Sequence, residues 1–348
     1  MRILTQLPQD DLAAVPSAAR AAETAGFNGL TTSENKNDPF LALAVAAVAT
    51  QHASLQTSIA IAFSRSPMAV ANVCWDLQSA SRGRFVLGLG SQVRAHNENR
   101  FSVPWTAPAP RMREYVLALR AIWRNWEKGE KLDFRGTHYK FTLMTPNFTP
   151  ASTHQPPIPV TIAAVGPAML RVAGEVCDGV RLHGFCTRRY VDEVVMRELR
   201  TGMAKGGRSR ESFEISGGGF IATGPNEESV AKMVEWVRYR VAFYGSTPAY
   251  WPVLETHGFH DLGRKLNVMS KAGQWDKMAA EISDDVVHLF AAIGTHREIA
   301  KAIAERFGGV ADTIALSGGY GVRQDLPPDL VQDLRRIPSP FTAHPRVW

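Results

Sequence analysis

Glu34 closes the stretch GLTTSE (29–34), and His96 follows RFVLGLGS (84–91) by a few residues. A carboxylate and an imidazole facing one pocket can serve as acid and base, although each alone is as readily a rim residue with an ordinary hydrogen-bond partner. In LGLGSQ (87–92), Gly88 and Gly90 alternate, so in an extended strand both lie on one side. Missing side chains there admit the close approach of another group, either a flat ring laid across the strand or a neighbouring segment in tight packing. AAVGPAML (163–170) ends an apolar run at Gly166, and Pro167 is placed to open a helix. The free N–H groups and dipole of such a helix start bind phosphate, while the same pattern also makes a plain strand-to-helix turn.

Other polar residues carry less. His183 and Cys186 form an HxxC, too little for a metal site, so no metal is expected. His257 and His260 fall in an aromatic stretch where packing or solvation is the default. No GxSxG, HExxH or Walker-type loop occurs. The three cysteines, Cys74, Cys177 and Cys186, form no CxxC pair, and an odd count argues against a disulfide framework.

The elements that would position these groups alternate along the chain. RILTQL (2–7), GLTTSE (29–34), LQTSIAIAF (55–63), RFVLGLGS (84–91), PVTIAA (159–164), DGVRLHG (178–184), EISGGGFIATG (214–224) and DTIALSG (312–318) read as eight strands. Between them lie helical patterns: residues 11–25 ending at Gly26, Asp38-Pro39 opening a run apolar on all sides to Ala49, and Ser66-Pro67 opening a helix to Ser81. Met112, Val116, Leu119, Trp123 and Trp126 make the inward stripe of 110–128, Asn226 caps a helix after strand seven, and Thr295 with Glu298 forms a capping box. Eight such units predict a (β/α)8 barrel with insertions, formed by residues 1–348 as one domain. A doubly wound sheet would need a glycine-rich turn after strand one, and QLPQDD has none. Two stretches fit no unit: 129–158, with the hairpin-like LDFRGTHYKF, and 244–285, whose aromatics predict an ordered lid over the barrel mouth. In such a barrel the site lies at the C-terminal ends of the strands, where all the candidates above fall.

The 348 residues are 45% hydrophobic and 21% charged, with a net charge of +6, and the pI is near 9.3. The basic residues are scattered, densest in KGGRSR (205–210), which argues against nucleic acid and for a small acidic or phosphorylated ligand. The longest apolar run, PFLALAVAAVA (39–49), is short of the roughly 20 residues that span a bilayer, and MRILTQLPQDD has no signal-peptide core. A cytoplasmic, reduced protein with no membrane partner is expected.

SENKNDPF (33–40), TSIAIAFSRSPMAVA (57–71), SRGRFVLGLGSQ (81–92), PVTIAAVGP (159–167) and AGEVCDGVRLHGF (173–185) resemble, in order, segments of the luciferase-like flavin and deazaflavin oxidoreductases. Within them the chain is similar to the branch that uses coenzyme F420, and FYGSTPAYWPVLETHGF (243–259) resembles a subgroup often named after methylenetetrahydromethanopterin reductase. The resemblance implies a ring across the barrel top, a cis peptide at Ser58–Ile59 behind it, and cofactor contacts at Gly90, Ser91, Gln92, His96, Ala164, Val165 and Gly166. It implies hydride exchange between F420 and a small organic substrate, with a monooxygenase using FMN and oxygen as the alternative, and a homodimer. Two departures bear on substrate. Sugar-phosphate dehydrogenases of the family have His where this chain has Asn35, and Glu where it has Val93. Their acid–base pair does not transfer, which leaves Glu34 and His96 as proton-handling candidates, with Asn35, Tyr250 and Trp251 beside the substrate.

Overall fold

The computed structural model describes residues 1–316 and 326–348. Eight parallel strands close on themselves in chain order: β1 (Arg2–Gln6), β2 (Gly29–Thr32), β3 (Ser54–Thr57), β4 (Phe85–Gly90), β5 (Val160–Ala164), β6 (Gly179–Leu182), β7 (Glu214–Gly217) and β8 (Thr313–Ala315), with β8 paired to β1. The last two residues assigned to strand eight, Ser317 and Gly318, lie outside the described residues. All six residues of β4 are buried, as expected where helices cover one face and the opposite strands cover the other. The helices α1 (Val15–Thr24), α2 (Leu41–Ala49), α3 (Pro67–Ala80), α4 (Arg94–Asn99), α5 (Pro108–Lys128), α6 (Pro167–Val176), α7 (Met196–Gly206) and α8 (Glu227–Gly245) follow between and after these strands.

Local chemistry accounts for the boundaries. The Ser66 hydroxyl caps α3, Asn226 caps α8, and Gly26 takes φ +88° just past α1. The five inward residues of α5 are all buried. Residues 134–135 and 140–141 pair as an antiparallel hairpin, and the Glu114 carboxylate accepts from the Thr137, His138 and Tyr139 N–H groups at its turn.

Two expectations need correction. Strand seven is not continuous over 214–224: Gly217, Gly218 and Gly219 take φ values of +81°, +110° and +158°, and turn the chain out of the barrel. Phe220–Gly224 then pairs in parallel with Ala291–Thr295 in a separate two-stranded sheet. The all-apolar α2 buries Ala42, Leu43, Ala46 and Ala47 and leaves Leu41 and Val48 exposed. Thr295 does not cap the following helix from one turn away; Glu298 is itself the residue before Ile299–Phe307, and its carboxylate accepts from the Thr295 N–H and hydroxyl.

Candidate active site

The barrel interior is polar toward the mouth. Arg181 on β6 is buried; its Nε donates to the Thr161 hydroxyl at 2.8 Å and its guanidinium also donates to the Gln56 amide oxygen. Burial pushes its pKa down to about 10, while Glu214 favours the charged form. Above it opens a cavity of about 240 Å³, with Ser58, Arg181, Gly184, Ser216, Phe220 and Trp236 in its wall. A larger cavity, about 370 Å³, lies at the opposite end among Pro159, Asp178 and Trp348. Barrel chemistry resides at the strand C-termini, so the smaller cavity is the candidate site.

The alternating glycines of β4 serve close packing. A β-carbon at Gly88 would lie 2.0 Å from the Thr57 carbonyl oxygen, and one at Gly90 would lie 2.5 Å from the Ile59 side chain. The Ser58–Ile59 peptide is cis. The chain resumes pairing with β4 at Ala60–Ile61, so Ile59 forms a bulge in strand three. Glu34 braces it: its carboxylate accepts from the Ile61 N–H at 2.6 Å and from Arg65 at 2.7 Å, and its own N–H donates to the Ile59 carbonyl at 3.1 Å. Arg65 also reaches Asp38 at 3.0 Å. Glu34 is therefore engaged as a brace, and no hydrogen bond or ion pair among the described residues joins it to His96.

His96 is exposed on α4, in the loop that begins at Ser91. Gln92 takes φ +57°, and the buried Asn97 amide donates to the Ser91 and Val93 carbonyls at 2.9 and 3.1 Å, which fixes the loop. Arg100 ties the loop to the exposed Asn35 through its carbonyl. At the end of the neighbouring strand β5, Gly166 precedes α6 with no side-chain cap, and a β-carbon there would meet nothing within 4 Å. The Tyr190 hydroxyl donates to the Val165 carbonyl at 2.9 Å and holds the Ala164–Gly166 turn. An uncapped helix start behind open space fits an anionic phosphate, and so fits the tail of a phosphorylated cofactor.

Residues 244–285 are helical for the most part, including α9 (Trp251–Glu255) and α10 (His260–Lys271). Tyr250 reaches the mouth, its ring 5.0 Å from that of His183. Trp251 makes its contacts inside the insert: its indole donates to the Gly245 carbonyl at 3.0 Å and packs against Gly263. His183, which the sequence reading set aside as half a metal motif, stands at the end of β6. Its Nδ1 accepts from the Phe185 N–H at 2.9 Å, so the proton sits on Nε2. Burial first, then the Arg240 cation, lowers its pKa to about 4. At neutral pH it is an uncharged donor. Arg65 and His183 were both visible in sequence as the polar residues of FSRSP and RLHGF, but their partners lie far along the chain.

A closed parallel barrel whose strand C-termini carry an uncapped helix start suits a phosphorylated ligand bound at that end. Residues 2–313 match the family described as luciferase-like monooxygenase, and the chain belongs to that family. It is 46% identical over 327 residues to an uncharacterised protein of Mycobacterium tuberculosis, covering 94% of this chain and 96% of that one. It is 28% identical to 5,10-methylenetetrahydromethanopterin reductase of Archaeoglobus fulgidus, over 82% and 83% of the two chains. In structure it is similar to the coenzyme F420-dependent tetrahydromethanopterin reductase of Methanopyrus kandleri, with a TM-score of 0.76, 19% identity and 97% of both chains covered, a likeness of fold.

Proposed function

We propose that the protein is a coenzyme F420-dependent oxidoreductase that exchanges a hydride between the deazaflavin and a small organic substrate. The observation that carries this reading is the bare start of α6 behind the open Gly166, on the same mouth as the Gly90–Gln92 rim. The A. fulgidus relative, named as a reductase of a reduced-pterin substrate, supports hydride chemistry over oxygen insertion. When bound, F420 supplies a ring carbon that gives or takes a hydride and reacts poorly with oxygen.

The residues of the chain do the rest. The Ala164–Gly166 turn and the first free N–H groups of α6 would hold the phosphate. Ser58 and Ile59 would back the ring, with Gly90, Ser91, Gln92 and His96 along its edge. His96, exposed at this rim, is the proton-handling residue the geometry favours, and Glu34 acts through the bulge it braces. Tyr250 and the insert would exclude water and orient the substrate, which brings the reacting carbons into contact. The resemblance also supports a homodimer, which light scattering of the purified protein tests.

Titration of the apo-protein with F420 and, separately, with FMN, followed by quenching of each cofactor's fluorescence, tests the reading. Tight binding of F420 alone is the expected result. A preference for FMN would transfer the protein to the oxygen-using reading that its family's description names.

A further inference from the structure

Trp236, Arg240 and Tyr244 recur at four-residue spacing on α8 and so share one face. Trp236 forms part of the cavity wall and meets Phe220 edge-on at 5.8 Å. The Arg240 guanidinium stands 5.5 Å from the Trp236 ring centre and 5.0 Å from that of Tyr244, and donates to the Tyr244 hydroxyl at 2.7 Å. Tyr244 in turn meets the His183 ring edge-on at 4.3 Å. The shelf is continuous from the cavity wall to the end of β6.

Arg240 has no carboxylate partner among the described residues. Arg238, two residues earlier on the same helix, has two, Glu235 and Asp284. The Arg240 Nε is covered and makes no hydrogen bond. A covered guanidinium donor left unmatched is costly, and the described residues offer it no acceptor. Arg306, whose Nε is likewise covered and unbonded, is held through its other two nitrogens by the Leu289 and Cys186 carbonyls. One unpaired cation, together with the Nε2–H of an uncharged His183, suits a single negative charge with two oxygens.

We propose that Arg240, held between Trp236 and Tyr244 beside His183, recognises a carboxylate on the substrate, so that the substrates are small carboxylic acids. The inference rests on the proposed function only for the reaction that follows; recognition of the anion is a property of the shelf itself. It leaves the phosphate of the cofactor to the α6 turn, at the end of the neighbouring strand β5.

Benzoate and its neutral counterpart benzamide are the probes, titrated calorimetrically into wild type, Arg240→Met and Arg240→Lys. Wild type is expected to bind benzoate about tenfold or more tightly than benzamide, with affinity falling as salt rises. R240M is expected to lose that preference and R240K to keep part of it. Equal binding of the two probes by wild type, no binding of benzoate, or an undiminished preference in R240M would overturn the inference. The same preparations are titrated with F420. Failure of wild type to bind F420 removes the proposed function and leaves the benzoate result standing. Loss of F420 affinity in R240M, without a benzoate preference in wild type, assigns Arg240 to the coenzyme and overturns the inference instead.

Discussion

His183 shows how a residue's chemistry is set by what folds around it. Its folded pKa near 4 lies below the ordinary 6.5, so the unfolded chain takes up the proton first on acidification. The stability it contributes is fully present above about pH 6.5 and is lost as pH falls toward 4. Thermal melts from pH 7.5 to 4.5 should therefore fall more steeply for wild type than for His183→Gln, by about 1–3 kcal/mol at the acid end. Parallel curves would show that the imidazole is free to charge. The cysteines are a second case: all three are free and buried, and burial raises the thiols of Cys177 and Cys186 to about 12. A thiol reagent such as Ellman's should label none in the folded protein and three after denaturation. At Gly166 the backbone is in an ordinary extended conformation and a β-carbon meets nothing, so Gly166→Val should fold with unchanged melting temperature. Its F420 affinity should drop about tenfold or more as the side chain enters the phosphate space; unchanged affinity removes the phosphate from this turn.

At the scale of elements, the brace and the glycine strand depend on each other. Gly88 packs directly on the Thr57 carbonyl, so Gly88→Ala forces β3 and β4 apart and should cost about 3 kcal/mol or more, read as a lowered melting temperature. Glu34→Gln leaves an acceptor for the Ile61 N–H but removes the charge that faces Arg65, which is three-quarters covered. It should weaken F420 binding through the displaced bulge and leave the pH profile of turnover in place. A profile that loses its acid limb would restore Glu34 as a proton acceptor. The boundaries of these elements were legible in the sequence because they depend on local chemistry: Ser66, Asn226 and Gly26 act within a turn of where they stand. The brace was not legible, since Glu34 and Arg65 are 31 residues apart and only the barrel closure brings them together. Trp251 and Tyr250 are adjacent in sequence yet pack differently, the indole on the Gly245 carbonyl within the insert and the phenol ring against His183 and Phe185.

For the whole molecule, the order of apolar strands and helices was enough to give the barrel, since covering a parallel sheet on both faces leaves few other arrangements. What periodicity could not give was the exit at Gly217–Gly219, because three adjacent glycines read equally as a weak strand interior. That exit places Phe220–Gly224 beside Ala291–Thr295, so the segment between them, which carries the Arg240 shelf and Tyr250, leaves from and returns to two hydrogen-bonded neighbours. Among the described residues, the eight-stranded frame makes no strand pairing with this pair of strands. In evolutionary terms the arrangement has the form of a cassette: the intervening stretch enters and leaves at one hydrogen-bonded pair of strands, so its exchange would leave the eight-stranded frame as it was.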